Sequence, residues 1–377
     1  MAEHLGRTGD LRHPGADEEL RSSVTLPPRT DSISAEPYSE QGKHSADTPG
    51  RAMTSDGSLQ KADFGGIYDQ PDPRAYFRTL EPFDYVIPQH GADLFARLLQ
   101  ARGTAAARRS RILDVCCSYG VVATLMKTKL DLAAVYAHYR KATEQALTFE
   151  QLVDVDRCLL QEHPEPGSPT VIGLDVAPSA VGYALATGAL DAGVAENLEV
   201  DAPSAELGAL MSEVDLITTT GGVGYVTERT FDRLLDVAPE SVWVAAFCLR
   251  TYDYGPIIET LSTHGLQTER LPQTFPQRRF TDPEEEQWAV AEVRKRRLDP
   301  AGKEAEGYYH AEFYLSRPAS EVEQQPLAQL LPERHEAPFL TPLRRRDHGR
   351  PSTEPRVTAE DGKCETPTRE VQASAEL

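Results

Sequence analysis

Between residues 108 and 318 the chain alternates two kinds of hydrophobic pattern. Short runs dense in apolar residues are each followed by a stretch whose apolar positions recur every three or four residues. The first kind predicts strands and the second predicts helices with one buried face. The strand-like runs are ILDVCC (112–117), VIGLDV (171–176), NLEVDA (197–202), VDLITTT (214–220) and SVWVAAFCL (241–249). The last of these is apolar throughout, as a strand buried on both faces should be. VVATLMKTKL, SAVGYALATGAL and TERTFDRLLDVA carry the helical spacing, and PIIETLSTHG closes a further helix with Gly265 at its end. Strands spaced by helices predict an α/β fold with a doubly wound, mostly parallel sheet. GYYHAEFYLSRP (307–318) reads as a last strand with no helix after it, hence as an antiparallel addition at the sheet edge.

The spacing between the first two strands is too long for a plain strand–helix–strand unit, which needs about 30 residues in total. The surplus, about residues 131–168, predicts a helical insert between the first helix and the second strand. Thr148 suits its N-cap, and Phe149, Leu152, Val155 and Leu159 share a face. Because the insert joins a helix back to a strand, it is expected at the end of the sheet away from the ligand. There it reads as a structural or interface element rather than a lid, and it suits a homodimer. Residues 61–107 form a lid or helical segment: DFGGIYDQPDPRAYFRTLEPFDYVIPQ (63–89) mixes aromatics with prolines, and ADLFARLLQAR follows as a helix. Residues 1–60 and 319–377 hold one aromatic each, Tyr38 and Phe339, and read as disordered tails around an α/β domain spanning 108–318. Met53 is a candidate for an alternative start, the other reading being a genuine tail over 1–52, and Arg344, Arg345 and Arg346 form a short basic run in the C-terminal tail.

Composition narrows the function classes. There is no run of 18 apolar residues to cross a membrane, and the first thirty residues lack the apolar core of a secretory signal. Five irregularly spaced cysteines make neither a disulfide framework nor a metal motif, so reduced thiols in a cytoplasmic protein and no metal are expected. The formal charge is -20, from 39 basic and 59 acidic residues, and most of the excess lies in 61–318. Nucleic-acid affinity comes chiefly from Lys and Arg, so a small-molecule partner is expected instead. The stretch 276–298 holds two basic clusters, but Glu284, Glu285 and Glu286 lie between them, and it reads as a charged surface helix.

Candidate chemistry follows from topology, because ligands of open α/β sheets bind at the carboxyl ends of the strands. The first strand is followed by the small-residue turn Asp114-Val115-Cys116-Cys117-Ser118-Tyr119-Gly120. Asp175 ends the second strand, Asp201 the third, and Thr220-Gly221-Gly222-Val223-Gly224-Tyr225 follows the fourth. A tight turn, a carboxylate for ribose hydroxyls and another for a base amino group make a physical case for a nucleoside ligand. A dinucleotide fingerprint would need glycine at Cys116, Ser118 and Val121, which disfavours a nicotinamide-dependent oxidoreductase.

In this order the residues resemble the class I S-adenosylmethionine-dependent methyltransferases. Asp114 to Gly120 looks like the family's first motif, with Cys116 and Ser118 where glycines are usual. The resemblance spans about residues 108–260 and extends to 317 if the last strand is the family's seventh. It implies a seven-stranded Rossmann-like sheet and S-adenosyl-L-methionine as cofactor. The cofactor would be held by Asp114, Cys116, Ser118, Tyr119, Gly120, Asp175, Val176, Asp201, Ala202, Thr220 and Gly221. The implied reaction is methyl transfer by in-line displacement to a small molecule, the alternative being a non-catalytic cofactor-binding protein. Should the acceptor lose a proton, His90, Tyr225, Tyr252, Tyr254 and His310 are candidate bases, with Tyr252 and Tyr254 following the fifth strand on the ligand side. By the same analogy Tyr68, Tyr76 and Phe77 are candidate lid residues. Cys116 reads first as buried beneath the cofactor, the alternative being a thiol pKa lowered by its place near a helix N-terminus.

Overall fold

The computed structural model describes residues 65–103 and 109–332, and the backbone alone of 50–53 and 59–63. The rest of the expected tails, with Arg344, Arg345 and Arg346, lies outside the described residues. Strands β1 (Gly50–Met53) and β2 (Leu59–Asp63) pair antiparallel, so part of the expected N-terminal tail is a hairpin.

Helices α1 (Arg74–Leu80) and α2 (Ile87–Arg102) lead into strand β3 (Arg111–Val115) and helix α3 (Val121–Lys127). The insert follows as α4 (Leu132–Glu144) and α5 (Phe149–Glu162). The chain then alternates β4 (Thr170–Asp175), α6 (Pro178–Thr187), β5 (Ala192–Ala195), α7 (Ala205–Met211), β6 (Leu216–Thr219), α8 (Glu228–Leu235), β7 (Trp243–Leu249) and α9 (Gly255–Thr263). Strand β8 (Leu266–Arg279), helix α10 (Pro283–Lys295) and strand β9 (Tyr308–Pro318) complete the sheet, and α11 (Ala319–Gln324) and α12 (Leu327–Leu330) end the described chain.

The seven-stranded sheet has the order β5-β4-β3-β6-β7-β9-β8. β3 to β7 are mutually parallel, while β9 runs antiparallel to both β7 and β8. The fold is therefore the mixed, doubly wound Rossmann-like sheet expected. β7 shows why both faces are covered: Trp243, Ala245, Phe247 and Leu249 pack into one core, and Val244, Ala246 and Cys248 into the other.

Several details differ from the sequence reading. β9 is antiparallel as expected but lies inside the sheet, and the edge is β8, whose Pro272, Pro276 and charged residues hid its strand character. An edge strand can lack a ladder donor where an interior one cannot. The third strand is Ala192–Ala195 rather than 197–202. In NLEVDA, Leu198 is 3% exposed and Val200 67% exposed, although a strand would place them on one face.

The insert is also placed differently. It begins and ends at the far end of the sheet, where Thr128 pairs with Pro164, but its helices run back along the sheet so that the tip reaches the N-terminal segment. Arg74 Nη1 donates to the Leu147 carbonyl (2.8 Å), Tyr136 donates to the Tyr85 carbonyl (2.9 Å), and Phe77 stacks on Tyr139 (4.0 Å). The buried face of α5 turns on Leu152, Val153 and Asp156, leaving Val155 40% exposed. That rotation places the Asp156 carboxylate to accept from the Tyr139 and Tyr183 hydroxyls, at 2.5 Å each, with His138 at 2.6 Å. Finally, the α/β unit continues past 318. Val322, Leu327, Leu330 and Leu331 are buried, and Glu321 accepts from the Trp243 indole (2.8 Å).

Among the described residues no helix is long and apolar enough to cross a membrane.

Candidate active site

The sheet order reverses between β3 and β6, and a cleft opens there at the strands' carboxyl ends. Its volume is about 600 Å³, within the usual range of ligand sites. The loops after β3, β4, β5 and β6 all reach it, and the N-terminal segment closes one side.

The turn after β3 keeps the backbone of a glycine-rich loop without its glycines. Cys116 has φ 59°, Ser118 φ 49° and Gly120 φ 70°, so two L-residues with side chains occupy the left-handed region. Each such residue costs about 1–2 kcal/mol. Three contacts hold them there. The Cys116 N–H donates to the Leu174 carbonyl (2.8 Å), the Gly120 N–H to the Cys117 carbonyl (2.9 Å), and the Ser118 N–H to Asp175 Oδ2 (2.8 Å). The Cys116 side chain needs room as well: a Cβ on Gly222 would fall 2.6 Å from Cys116 Sγ, so glycine across the cleft accommodates it. Ser118→Gly should raise stability by up to about 1 kcal/mol. It removes the left-handed strain at a smaller cost in unfolded-chain freedom. Thermal unfolding reads this, and a lowered melting temperature would count against strain at Ser118.

The carboxylates sit where the sequence reading puts two of them. Asp114 is 3% exposed and accepts from Thr218 Oγ1 (2.9 Å); burial raises its pKa from 3.8 to about 7. Asp175, whose pKa is also raised by burial, accepts from the Ser118 and Ala177 N–H groups. Val176 offers an exposed apolar surface beside it. Cys116, Ser118, Thr220 and Gly221 line the cleft too. The Ser118 hydroxyl is buried without a hydrogen-bond partner, so the turn has a polar group left for a ligand.

Other expected residues lie elsewhere. Asp201 and Ala202 are exposed and outside the cleft lining, because the third strand ends earlier. Glu196 and Glu199 line the cleft instead. Glu196 accepts from the Ser204 N–H and hydroxyl, and Glu199 accepts from Thr227 and Thr230, clamping the loop after β6 to the loop after β5. These hydrogen bonds hold Glu199 below the usual carboxylate pKa against the opposing effect of burial. Tyr119 is turned away: its hydroxyl donates toward the Ile67 and Gln70 carbonyls and accepts from the Gln70 N–H. It fastens the N-terminal segment over the turn. Gly120 packs its backbone against Ala184 and Ala189 rather than the cleft.

Of the candidate bases only Tyr225 lines the cleft, at its mouth and 62% exposed. Tyr252 stands behind it against Gly224, and burial raises its pKa to about 12. Tyr254 is a core residue, 1% exposed and stacked on Tyr314 at 4.2 Å. His90 and His310 line a separate, larger cavity of about 1060 Å³ between α2, β8 and residues 165–169. That cavity does not gather the loops that follow the parallel strands, the feature that marks a ligand site in this architecture. Burial lowers both histidines to about 4. The Cys116 thiol is raised by burial, contrary to the lowered value its helix-terminal position suggests.

The N-terminal segment supplies Tyr68, Asp69, Tyr76 and Tyr85 to the cleft, whereas Phe77 faces the insert. Tyr68 meets Tyr76 edge-on at 5.6 Å and Tyr85 meets Tyr76 at 6.3 Å. A Cβ on Gly221 would lie 3.4 Å from Gln277 Nε2 and 3.5 Å from the Tyr85 hydroxyl, so β8 and the segment before α2 meet there. Aromatic density marked this segment in the sequence; Glu199 lies within the NLEVDA run, whose strand reading favours Asp201, and nothing local marked Glu196.

No protein-family model matches the chain, and no curated protein matches it significantly. Solved structures similar to it include a TehB-like S-adenosylmethionine-dependent methyltransferase from Corynebacterium glutamicum. That one has 17% identity and a TM-score of 0.31, covering 58% of this chain and 85% of its own. Magnesium protoporphyrin IX methyltransferase from Synechocystis with bound cofactor has 13% identity and a TM-score of 0.32, covering 61% and 79%. Precorrin-6y C5,15-methyltransferase from Geobacter metallireducens has 11% identity and a TM-score of 0.32, covering 60% and 87%. Likeness at this level leaves function to be argued from the cleft itself.

Proposed function

We propose that this protein binds S-adenosyl-L-methionine in the cleft at the switch point and transfers its methyl group to a small molecule. The observation that carries the reading is the turn at 116–120. It holds the left-handed geometry of a glycine-rich nucleoside-binding turn on Cys116 and Ser118, and Asp175 grips it from the end of the next strand. Strained backbone is retained where the surrounding structure enforces it, typically at ligand sites.

Asp175 would meet the ribose, with Val176 beneath the base and Glu196 or Asn197 at its edge. The buried Asp114 and Ser118 would face the amino-acid part. The group supplies a methyl carbon bonded to a positively charged sulfur. The protein's part is then positioning and exclusion of water, with Tyr68, Tyr76 and Tyr85 closing the cleft. The tyrosines at this end keep their protons, because burial raises their pKa values.

Calorimetric titration of the full chain with S-adenosylhomocysteine tests the reading, and absence of binding would overturn it. A pH signature should accompany binding of the methyl donor. Below pH 3.8 Asp114 is protonated in both folded and unfolded chains; between 3.8 and about 7 the unfolded chain ionises it and the folded chain resists. Asp114 therefore lowers stability progressively as pH rises through that window. A cationic ligand favours the ionised form, so binding should release protons near pH 6 and tighten toward pH 8. Titration in buffers of different ionisation heat reads the proton count, and Asp114→Asn should abolish it.

A further inference from the structure

The charges around the cleft are one-sided. Asp69, Asp114, Asp175, Glu196 and Glu199 line it, and among the described residues no Lys, Arg or His does. They accept from backbone N–H groups and hydroxyls: from Ser179 at Asp69, Thr218 at Asp114, Ser118 and Ala177 at Asp175, Ser204 at Glu196, and Thr227 and Thr230 at Glu199. None of the five forms an ion pair among the described residues. The cation whose field reaches Tyr68 and Tyr85, Arg278, is held by Glu285 at 2.6 Å. The rest of the lining is uncharged, and it includes the aromatic rings of Tyr68, Tyr76, Tyr85 and Tyr225. Faces of aromatic rings attract cations, and carboxylates in a partly buried cleft repel anions.

Resting on the methyl-transfer reading above, we infer that the acceptor is an uncharged nitrogen base with no proton to lose, a heteroaromatic or tertiary amine that leaves the cleft as a cation. The nitrogen lone pair forms the new bond to the methyl carbon as the carbon–sulfur bond breaks, and the bonding pair stays on sulfur. The positive charge thus moves from sulfur to nitrogen without leaving the cleft. The carboxylates and tyrosine faces stabilise it at both ends of the reaction, and no base is required. A carboxylate or phenolate acceptor would instead bring an anion into a cleft lined by acidic side chains, and its methylation would remove the sulfonium charge from that cleft.

The test compares two bicyclic probes of similar size and opposite charge, N-methylisoquinolinium and 2-naphthoate, titrated into the full chain saturated with S-adenosylhomocysteine. The cation should bind at least tenfold more tightly. Asp69→Asn, which keeps an oxygen for the Ser179 N–H, should narrow that preference, as should added salt. Isoquinoline with S-adenosylmethionine should yield S-adenosylhomocysteine at least tenfold faster than 2-naphthol or 2-naphthoate. Equal or tighter binding of 2-naphthoate, or faster turnover of either anionic-type acceptor, overturns the inference and leaves methyl transfer standing. If the cofactor binds but isoquinoline gives no product, the inference also fails while the cofactor site survives. If the cofactor itself does not bind, both fall together.

Discussion

Replacing Glu285 with alanine should destabilise the fold by about 3–5 kcal/mol, the scale for stripping one partner from a buried ion pair. Glu285 is 0% exposed and Arg278 1% exposed, joined at 2.6 Å and 3.0 Å through both guanidinium ends. The carboxylate also accepts from the Thr281 N–H (2.7 Å) and the Tyr309 hydroxyl (3.1 Å). Without it a guanidinium remains buried against Tyr309, 4.9 Å from the ring centre. Removing both charges together, as in Arg278→Met with Glu285→Leu, should recover most of the loss, because the uncompensated charge goes too. Chemical denaturation of the three proteins measures this. A loss under about 1 kcal/mol for Glu285→Ala would show that water reaches Arg278. The effect bears on function because the adjacent Gln277 reaches Gly221 of the cleft with its side chain and its carbonyl accepts from the Val86 N–H (2.8 Å), so β8 anchors the start of α2.

Asp175→Ala should weaken S-adenosylhomocysteine binding by about 1.5–3 kcal/mol, the range for hydrogen bonds to a charged group, which is roughly ten- to more than a hundredfold in affinity. Two effects combine. The carboxylate is the proposed ribose acceptor, and it also fixes the Ser118 N–H at the strained turn. Asp175→Asn separates them, since its side-chain oxygen can still accept one N–H while its amide cannot accept from two hydroxyls. Affinity that falls with alanine but is restored by asparagine assigns the effect to the turn; affinity lost in both assigns it to the ligand. Unchanged affinity in both variants would remove Asp175 from the site.

The parts of this cleft that could be read along the chain are those in which one segment carries both the structural signal and the chemical group. Asp175 ends β4 and Asp114 lies one residue before the end of β3, so strand prediction and carboxylate position coincide. The turn at 116–120 was recognisable despite its missing glycines because small residues follow a buried strand and open a helix. Asp201 misled for a related reason: NLEVDA has strand-like composition, yet the register of β5 against β4 is set by Ala192 facing Ile172 and Ala195 facing Asp175. His90 lies in the first turn of α2 and Tyr254 follows β7, but both face other interiors, a property of helix rotation and of packing against Phe275 and Tyr314.

Periodicity and composition were enough for the doubly wound sheet, the helical insert and the acidity of the folded region. Each is a local or summed property, readable without knowing which segments touch. The direction in which the insert folds back, the edge position of β8 and the arrival of Glu196 and Glu199 in the cleft are set by contacts between segments far apart in sequence. Those contacts also decided the character of the cleft. Each of its acidic residues looks ordinary in its own segment, and only their convergence, with tyrosines and without a lining cation among the described residues, makes the lining one-sidedly acidic.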